Sequence, residues 1–230
     1  PFKNAFYAGD PLLYGFRRET AQVPILAGTV FGEFSSFVPG NEDRKTADAK
    51  KQTAIVEAVF GKEHAAELIP LFEKAYPEHP LCDLVRLDHF FRPGTQKYIR
   101  LRSALNGCTW SYLFNHDMPI DGGSTPWHCA DIPYVFHNTQ FVPSTQEDGT
   151  DGLERLIFNS VMAFARTGMP GHSGLPAWPA STPEAEQTMI FDTNPVLRPN
   201  HDRELMPLFE TYMKPIFEAN REQITEKAQH

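Results

Sequence analysis

Val23-Pro24-Ile25-Leu26-Ala27-Gly28-Thr29-Val30-Phe31-Gly32-Glu33-Phe34 decides the fold of this 230-residue chain. Residues 23–30 form a mostly apolar run with β-branched members and no polar alternation, the pattern of a parallel strand buried on both faces. The turn after it, with glycines at 28 and 32, carries Glu33 toward the C-terminal edge of a sheet, where α/β proteins present chemistry. A second β-like run, Cys108-Thr109-Trp110-Ser111-Tyr112-Leu113-Phe114, leads through a loop at 115–125 to Trp127-His128-Cys129-Ala130-Asp131-Ile132-Pro133-Tyr134-Val135-Phe136. One acid and one histidine thus follow two separate strands. A third, short strand is predicted at 188–192.

Helical spacing fills most of what lies between. After a loop at Val38-Pro39-Gly40-Asn41, residues 47–59 and 62–76 read as helices parted by Gly61, with Pro77 and Pro80 as stops. Further helices are predicted at 81–91 and 94–106, divided by Pro93-Gly94 and ended at Asn106-Gly107. An amphipathic helix runs from Asp151 to about Thr167, with Leu153, Leu156, Ile157, Val161 and Phe164 on one face and Gly168 as its stop. The stretch 169–183 is a Pro- and Gly-rich surface loop, and a last helix starts near Glu204, with Pro215 predicted to kink it. The fold class is therefore α/β, with a few mostly parallel strands covered by many helices. Three strands make a thin sheet for so many helices, and a sheet continued by an N-terminal portion outside these residues resolves the imbalance.

Composition narrows the function classes. A net charge of −8 argues against a nucleic-acid surface, which needs clustered Lys and Arg. The basic cluster Lys97-Tyr98-Ile99-Arg100-Leu101-Arg102 reads as the wet face of a helix. Three widely spaced cysteines, Cys82, Cys108 and Cys129, form neither a complete disulfide framework nor a metal knuckle, which favours a reducing, cytoplasmic setting. No apolar run is long enough to span a membrane, so no membrane partner is expected. The chain opens at Pro1 in what reads as mid-domain sequence.

Glu33 and His128 are the candidates for chemistry. An imidazole flanked by Trp127, Cys129 and the apolar run Ile132–Phe136 is predicted to be shielded from free solvation, and its ordinary pKa suits a general base near neutrality. By position alone, a solvated loop glutamate and a structural histidine stand beside these readings. His128, Cys129 and Asp131, with His116 and Asp117 nearby, are ligand types but match no zinc spacing, so no metal and no cofactor are expected. His64, His79 and the Asp88-His89 pair read as surface residues. A nucleophile is missing: no Gly-x-Ser-x-Gly occurs, and Gly171-His172-Ser173-Gly174-Leu175 breaks at its last position.

These residues resemble the C-terminal part of the type B carboxylesterases, the α/β-hydrolase group of the para-nitrobenzyl esterases and cholinesterases. Pro24 to Gly28 followed by Glu33-Phe34-Ser35-Ser36-Phe37 is similar to the family's Pro-Ile-Leu-x-Gly strand and triad glutamate. His128 to Phe136 resembles its His-x-x-Glu-hydrophobic-Pro-Tyr-Val-Phe segment, with Asp131 in place of Glu. Phe164-Ala165-Arg166-Thr167-Gly168-Met169-Pro170 and Trp178-Pro179 resemble a third landmark. Two departures stand out: Phe34 replaces the glycine that often follows the acid, and the oxyanion loop and serine elbow are absent.

The resemblance implies that residues 1–230 are the C-terminal portion of an esterase catalytic domain. Glu33 would be the triad acid, His128 the triad base and Asp131 a supporting group. The partners implied are an N-terminal portion carrying the nucleophilic serine and a small-molecule ester. The isolated chain is then expected to be inactive. The alternative is a non-catalytic, cholinesterase-like interaction module, whose mark would be a broken triad.

Overall fold

In the computed structural model, the residues described are 3–35, 43–105, 107–120 and 123–227. The elements in chain order are α1 (Pro11–Tyr14), β1 (Ile25–Val30), α2 (Asp43–Thr46), α3 (Ala49–Ala75), α4 (Arg92–Ser103), β2 (Thr109–Phe114), α5 (Ile132–Val135), α6 (Thr150–Thr167), β3 (Gln187–Phe191), β4 (Val196–Pro199) and α7 (Leu205–Lys227). They divide into two compact units, one of Pro1–Glu33 with Gly94–His201 and one of Phe34–Pro93 with Asp202–His230.

The first unit is built on one sheet in the order β1-β2-β3-β4. β1 pairs parallel with β2, Gly28 opposite Tyr112, and β2 pairs parallel with β3. The α/β reading with mostly parallel strands is therefore the architecture found. β2 and β3 are almost wholly buried, as expected of continuous apolar runs in the middle of a parallel sheet. β1 corrects the expectation: only Thr29 and Val30 are buried, and 25–28 are partly exposed, because β1 is an edge of the described sheet. β4, antiparallel to β3, is a fourth strand that the pattern missed. Four residues ending in Pro199 carry no alternation, and a strand with a proline fits only at an edge.

α6 places Leu153 and Ile157, one helical turn apart, against Trp110, Phe114, Tyr134, Trp178 and Phe191. It ends where expected, at Gly168 (φ 76°), whose N–H bonds the Phe164 carbonyl. Arg102 corrects the wet-face reading of α4. Its guanidinium is buried, donating to the Val23 carbonyl at 2.8 Å, and Ile99 is wholly enclosed.

The second unit packs α3, a 3₁₀ segment Leu81–Arg86, and α7 around Leu68, Phe72, Leu84, Met206 and Phe209. Gly61 breaks α3 with φ 78° and ψ 160°, as its position between two helical patterns predicted. The helix expected at 81–91 is instead the 3₁₀ segment. Asp88 is buried and accepts the N–H of Phe90, Phe91 and Arg92, so it caps α4, and Pro93-Gly94 falls in the first turn of α4 rather than between helices. Asp88 and His79 are thus interior, not surface, residues. His79 Nδ1 lies 2.9 Å from Asp83, which also takes a two-pronged hydrogen bond from Arg44. His89 is partly buried, and burial pushes its pKa down to about 4. The loop expected at Val38–Asn41 and the helix stop at Asn106 lie outside the described residues.

Candidate active site

β1 ends at Val30 and the chain turns at once, leaving Phe31 sealed in the core and Glu33 buried at 6% exposure. The turn is tied to the segment following β2 by two backbone hydrogen bonds. Gly32 N–H donates to the Pro126 carbonyl, and His128 N–H donates to the Glu33 carbonyl at 2.7 Å. Two loops 95 residues apart are thus stitched together before any side chain is considered.

The side chains meet on that scaffold. His128 Nδ1 lies 2.6 Å from Glu33 Oε2. A carboxylate only accepts, so Nδ1 carries a proton, and in the neutral imidazole the lone pair is then on Nε2. Glu33 Oε1 accepts the Val30 N–H at 3.0 Å, which fixes the carboxylate's orientation. The His128 side chain is 53% exposed, a correction to the shielded imidazole expected from its aromatic neighbours. The apolar run after it is the short helix α5 followed by Phe136, which is itself 69% exposed. The arrangement is a buried acid holding Nδ1 of a half-exposed imidazole, which suits proton transfer to and from a group brought alongside.

Asp131 sits three residues beyond His128 and accepts a hydrogen bond from the Tyr112 hydroxyl at 2.9 Å. Burial raises its pKa, opposed by that hydrogen bond and by the nearby His128. Cys129, between His128 and Asp131, is exposed and adopts the left-handed φ of 68°, a conformation that costs a non-glycine residue energy and needs support from its surroundings. Sequence reasoning missed Tyr112. A tyrosine inside a buried strand carries no local signal of what its hydroxyl reaches.

The other ligand-type residues are elsewhere engaged. His116, just after β2, lies 2.6 Å from Glu147 and 3.5 Å from Asp192. Among the described residues, no cluster of three His, Cys, Asp or Glu side chains is arranged to hold a metal ion. No described helix is long and apolar enough to cross a membrane. Of the aromatics flanking the site, Phe31 is core, Trp127 is partly buried, and Phe37 lies outside the described residues.

Residues 6–206 match the model of the carboxylesterase family. An esterase from anaerobic Clostridium hathewayi that can hydrolyse aliphatic aromatic polyesters is 38% identical, with a TM-score of 0.85 over 92% of this chain and 42% of its own. The carboxylesterase EST55 of Geobacillus stearothermophilus, at 22% identity and a TM-score of 0.56, shares the fold over 84% of this chain and 42% of its own. Phenmedipham hydrolase of Pseudarthrobacter oxydans is 32% identical over 76 residues, 30% of this chain and 15% of that protein. The chain spans about two-fifths of the length of these solved esterases.

Proposed function

This chain belongs to the carboxylesterase family, and from that premise we propose that it is the C-terminal portion of a serine ester hydrolase, supplying the triad acid and base. The observation that carries this reading is the 2.6 Å contact between the buried Glu33 and Nδ1 of a half-exposed His128. A serine held by the N-terminal portion of the same enzyme attacks the ester carbonyl while His128 Nε2 takes its proton. The same nitrogen then returns that proton to the leaving alcohol. Water repeats the cycle on the acyl-enzyme. Glu33 fixes the tautomer and stabilises the imidazolium at each stage, and Asp131 supports the turn that carries His128. The non-catalytic alternative calls for a broken acid–base pair, and this pair is intact in geometry.

The edge of β1 supports the partner. Ile25 N–H bonds the Cys108 carbonyl and Phe31 N–H bonds that of Phe114, so the alternate residues Leu26 and Gly28 turn their backbone groups to the open side. An apolar strand with an unprotected edge is a template for another strand. Beyond Leu26 and Gly28, the Val30 N–H is already taken by Glu33. A parallel strand of the N-terminal portion, paired over Leu26–Gly28, would complete the sheet and bring the serine to the same rim.

The test is labelling of the complete protein with a fluorophosphonate, followed by peptide mass mapping. The reading expects one phosphonylated serine, outside these 230 residues, and loss of para-nitrophenyl ester hydrolysis. A label on a serine within this chain, or unimpaired hydrolysis after full labelling, overturns it. The activity of the Clostridium hathewayi relative adds aliphatic aromatic polyesters to the substrates worth assaying.

A further inference from the structure

Beside the Glu33–His128 pair lies a tyrosine that the proton-transfer scheme does not use. Tyr112 faces Gly28 across the β1–β2 pair, and a Cβ at position 28 would fall 2.4 Å from its ring. The ring therefore occupies the space beside the β1 backbone that only a glycine leaves. That placement carries the hydroxyl to Asp131 Oδ2, 2.9 Å away, in the turn that bears His128.

We propose that Tyr112 is a positioning residue of this site, clamping the His128 turn through Asp131 while Gly28 provides the space its ring occupies. The proposal rests on the reading of Glu33 and His128 as acid and base. The turn needs such a clamp. It is closed by the Ala130 N–H to the Trp127 carbonyl and the Ile132 N–H to the Cys129 carbonyl, with Cys129 in the left-handed region. One side of it is anchored by the His128 N–H on the Glu33 carbonyl, and the other by Tyr112 on Asp131. With the imidazole half exposed, the aim of Nε2 depends on the backbone beneath it as well as on the ring's own contacts. The phenol is a dependable donor: burial, then the charges of Asp131 and Glu33, hold its pKa well above the ordinary tyrosine value. Glu33 acting on Tyr112, and His128 on Asp131, place all four groups within one electrostatic neighbourhood.

The experiment compares Tyr112→Phe, Asp131→Ala, their double variant and Glu33→Gln in the complete esterase, by steady-state kinetics on para-nitrophenyl acetate. Loss of the clamp lowers kcat about 10-fold with KM unchanged, since the damage is to alignment of the proton acceptor and not to ester binding. The double variant is no slower than the worse single one, because both remove the same contact. A Tyr112→Phe enzyme with lowered thermal stability but wild-type kcat overturns the proposal and makes Tyr112 a packing residue. Asp131→Ala leaves β2 untouched, so it decides the matter if Tyr112→Phe does not fold: wild-type kcat in that variant also overturns the clamp. Glu33→Gln separates the two ideas. Its retention of activity sinks the acid–base reading whatever the Tyr112 variants do, whereas its silence together with an unaffected Tyr112→Phe enzyme sinks the clamp alone.

Discussion

Glu33→Gln tests the site most directly, because the structure dictates how the new amide must sit. Glu33 uses both oxygens: Oε1 accepts the Val30 N–H at 3.0 Å and Oε2 meets His128 Nδ1 at 2.6 Å. Glutamine keeps one oxygen. If that oxygen stays on the Val30 N–H, the amide NH₂ faces Nδ1, and a donor there forces the imidazole to put its proton on Nε2. In the proposed mechanism Nε2 can then no longer accept the serine proton. If the amide flips, two N–H groups collide at Val30 in a site only 6% exposed. Both outcomes remove the carboxylate charge that stabilises the imidazolium. In the serine-protease template the matching change lowers kcat about 10⁴-fold, on the order of 5 kcal/mol of transition-state stabilisation. We expect a loss of the same order in kcat for para-nitrophenyl acetate with the complete enzyme, with circular dichroism and melting temperature as controls for folding. Retention of more than about a tenth of wild-type activity by a folded Glu33→Gln enzyme refutes the role of Glu33 and the tautomer argument with it.

The other predictions concern stability. Gly168→Ala should destabilise by about 1–2 kcal/mol, since φ is 76° and the new Cβ would sit 2.8 Å from Pro24 Cγ; this appears as a fall of a few degrees in melting temperature. Asp202→Asn removes the carboxylate that binds the Arg92 guanidinium at 2.7 and 3.0 Å and the Tyr76 hydroxyl at 2.8 Å. With Arg92 1% exposed, its charge is left buried, and a loss of about 3 kcal/mol or more is expected in urea unfolding. His116 supplies a pH dependence. Burial opposes its protonation, but hydrogen bonds and charges from Asp192 and Glu147 prevail and raise its pKa. A raised native pKa gives stability that is complete below the unfolded value of about 6.5 and is lost as pH rises through the native one. The melting temperature should therefore decline on going from pH 6 to 8, and His116→Gln should flatten that slope.

Most of the α/β framework was legible in the chain because strand and helix periods are local. The runs at β1, β2 and β3 and the apolar face of α6 announce themselves within a dozen residues. The errors fell where a distant partner changed the meaning of a residue. Asp88 and His79 look like helix surface until buried hydrogen bonds to backbone and Asp83 are seen. Arg102 looks solvated until three carbonyls of the 20–23 segment are found around its guanidinium. Pro93-Gly94 reads as a breaker, yet a proline at the start of a helix removes an N–H that has no helical partner anyway.

The same division runs through the site. Sequence alone determined that an acid and a histidine each follow a β-like run, and that no serine elbow lies between these termini, because residue type and local pattern carry that information. Only the tertiary structure decided that those two turns are neighbours, that the acid is buried and the imidazole half open, and that Tyr112 reaches the His128 turn over Gly28. The physical reason is that proximity in a parallel sheet comes from pairing between strands far apart in the chain, β1 ending at Val30 and β2 starting at Thr109, and the register of that pairing is written in packing rather than in any one segment.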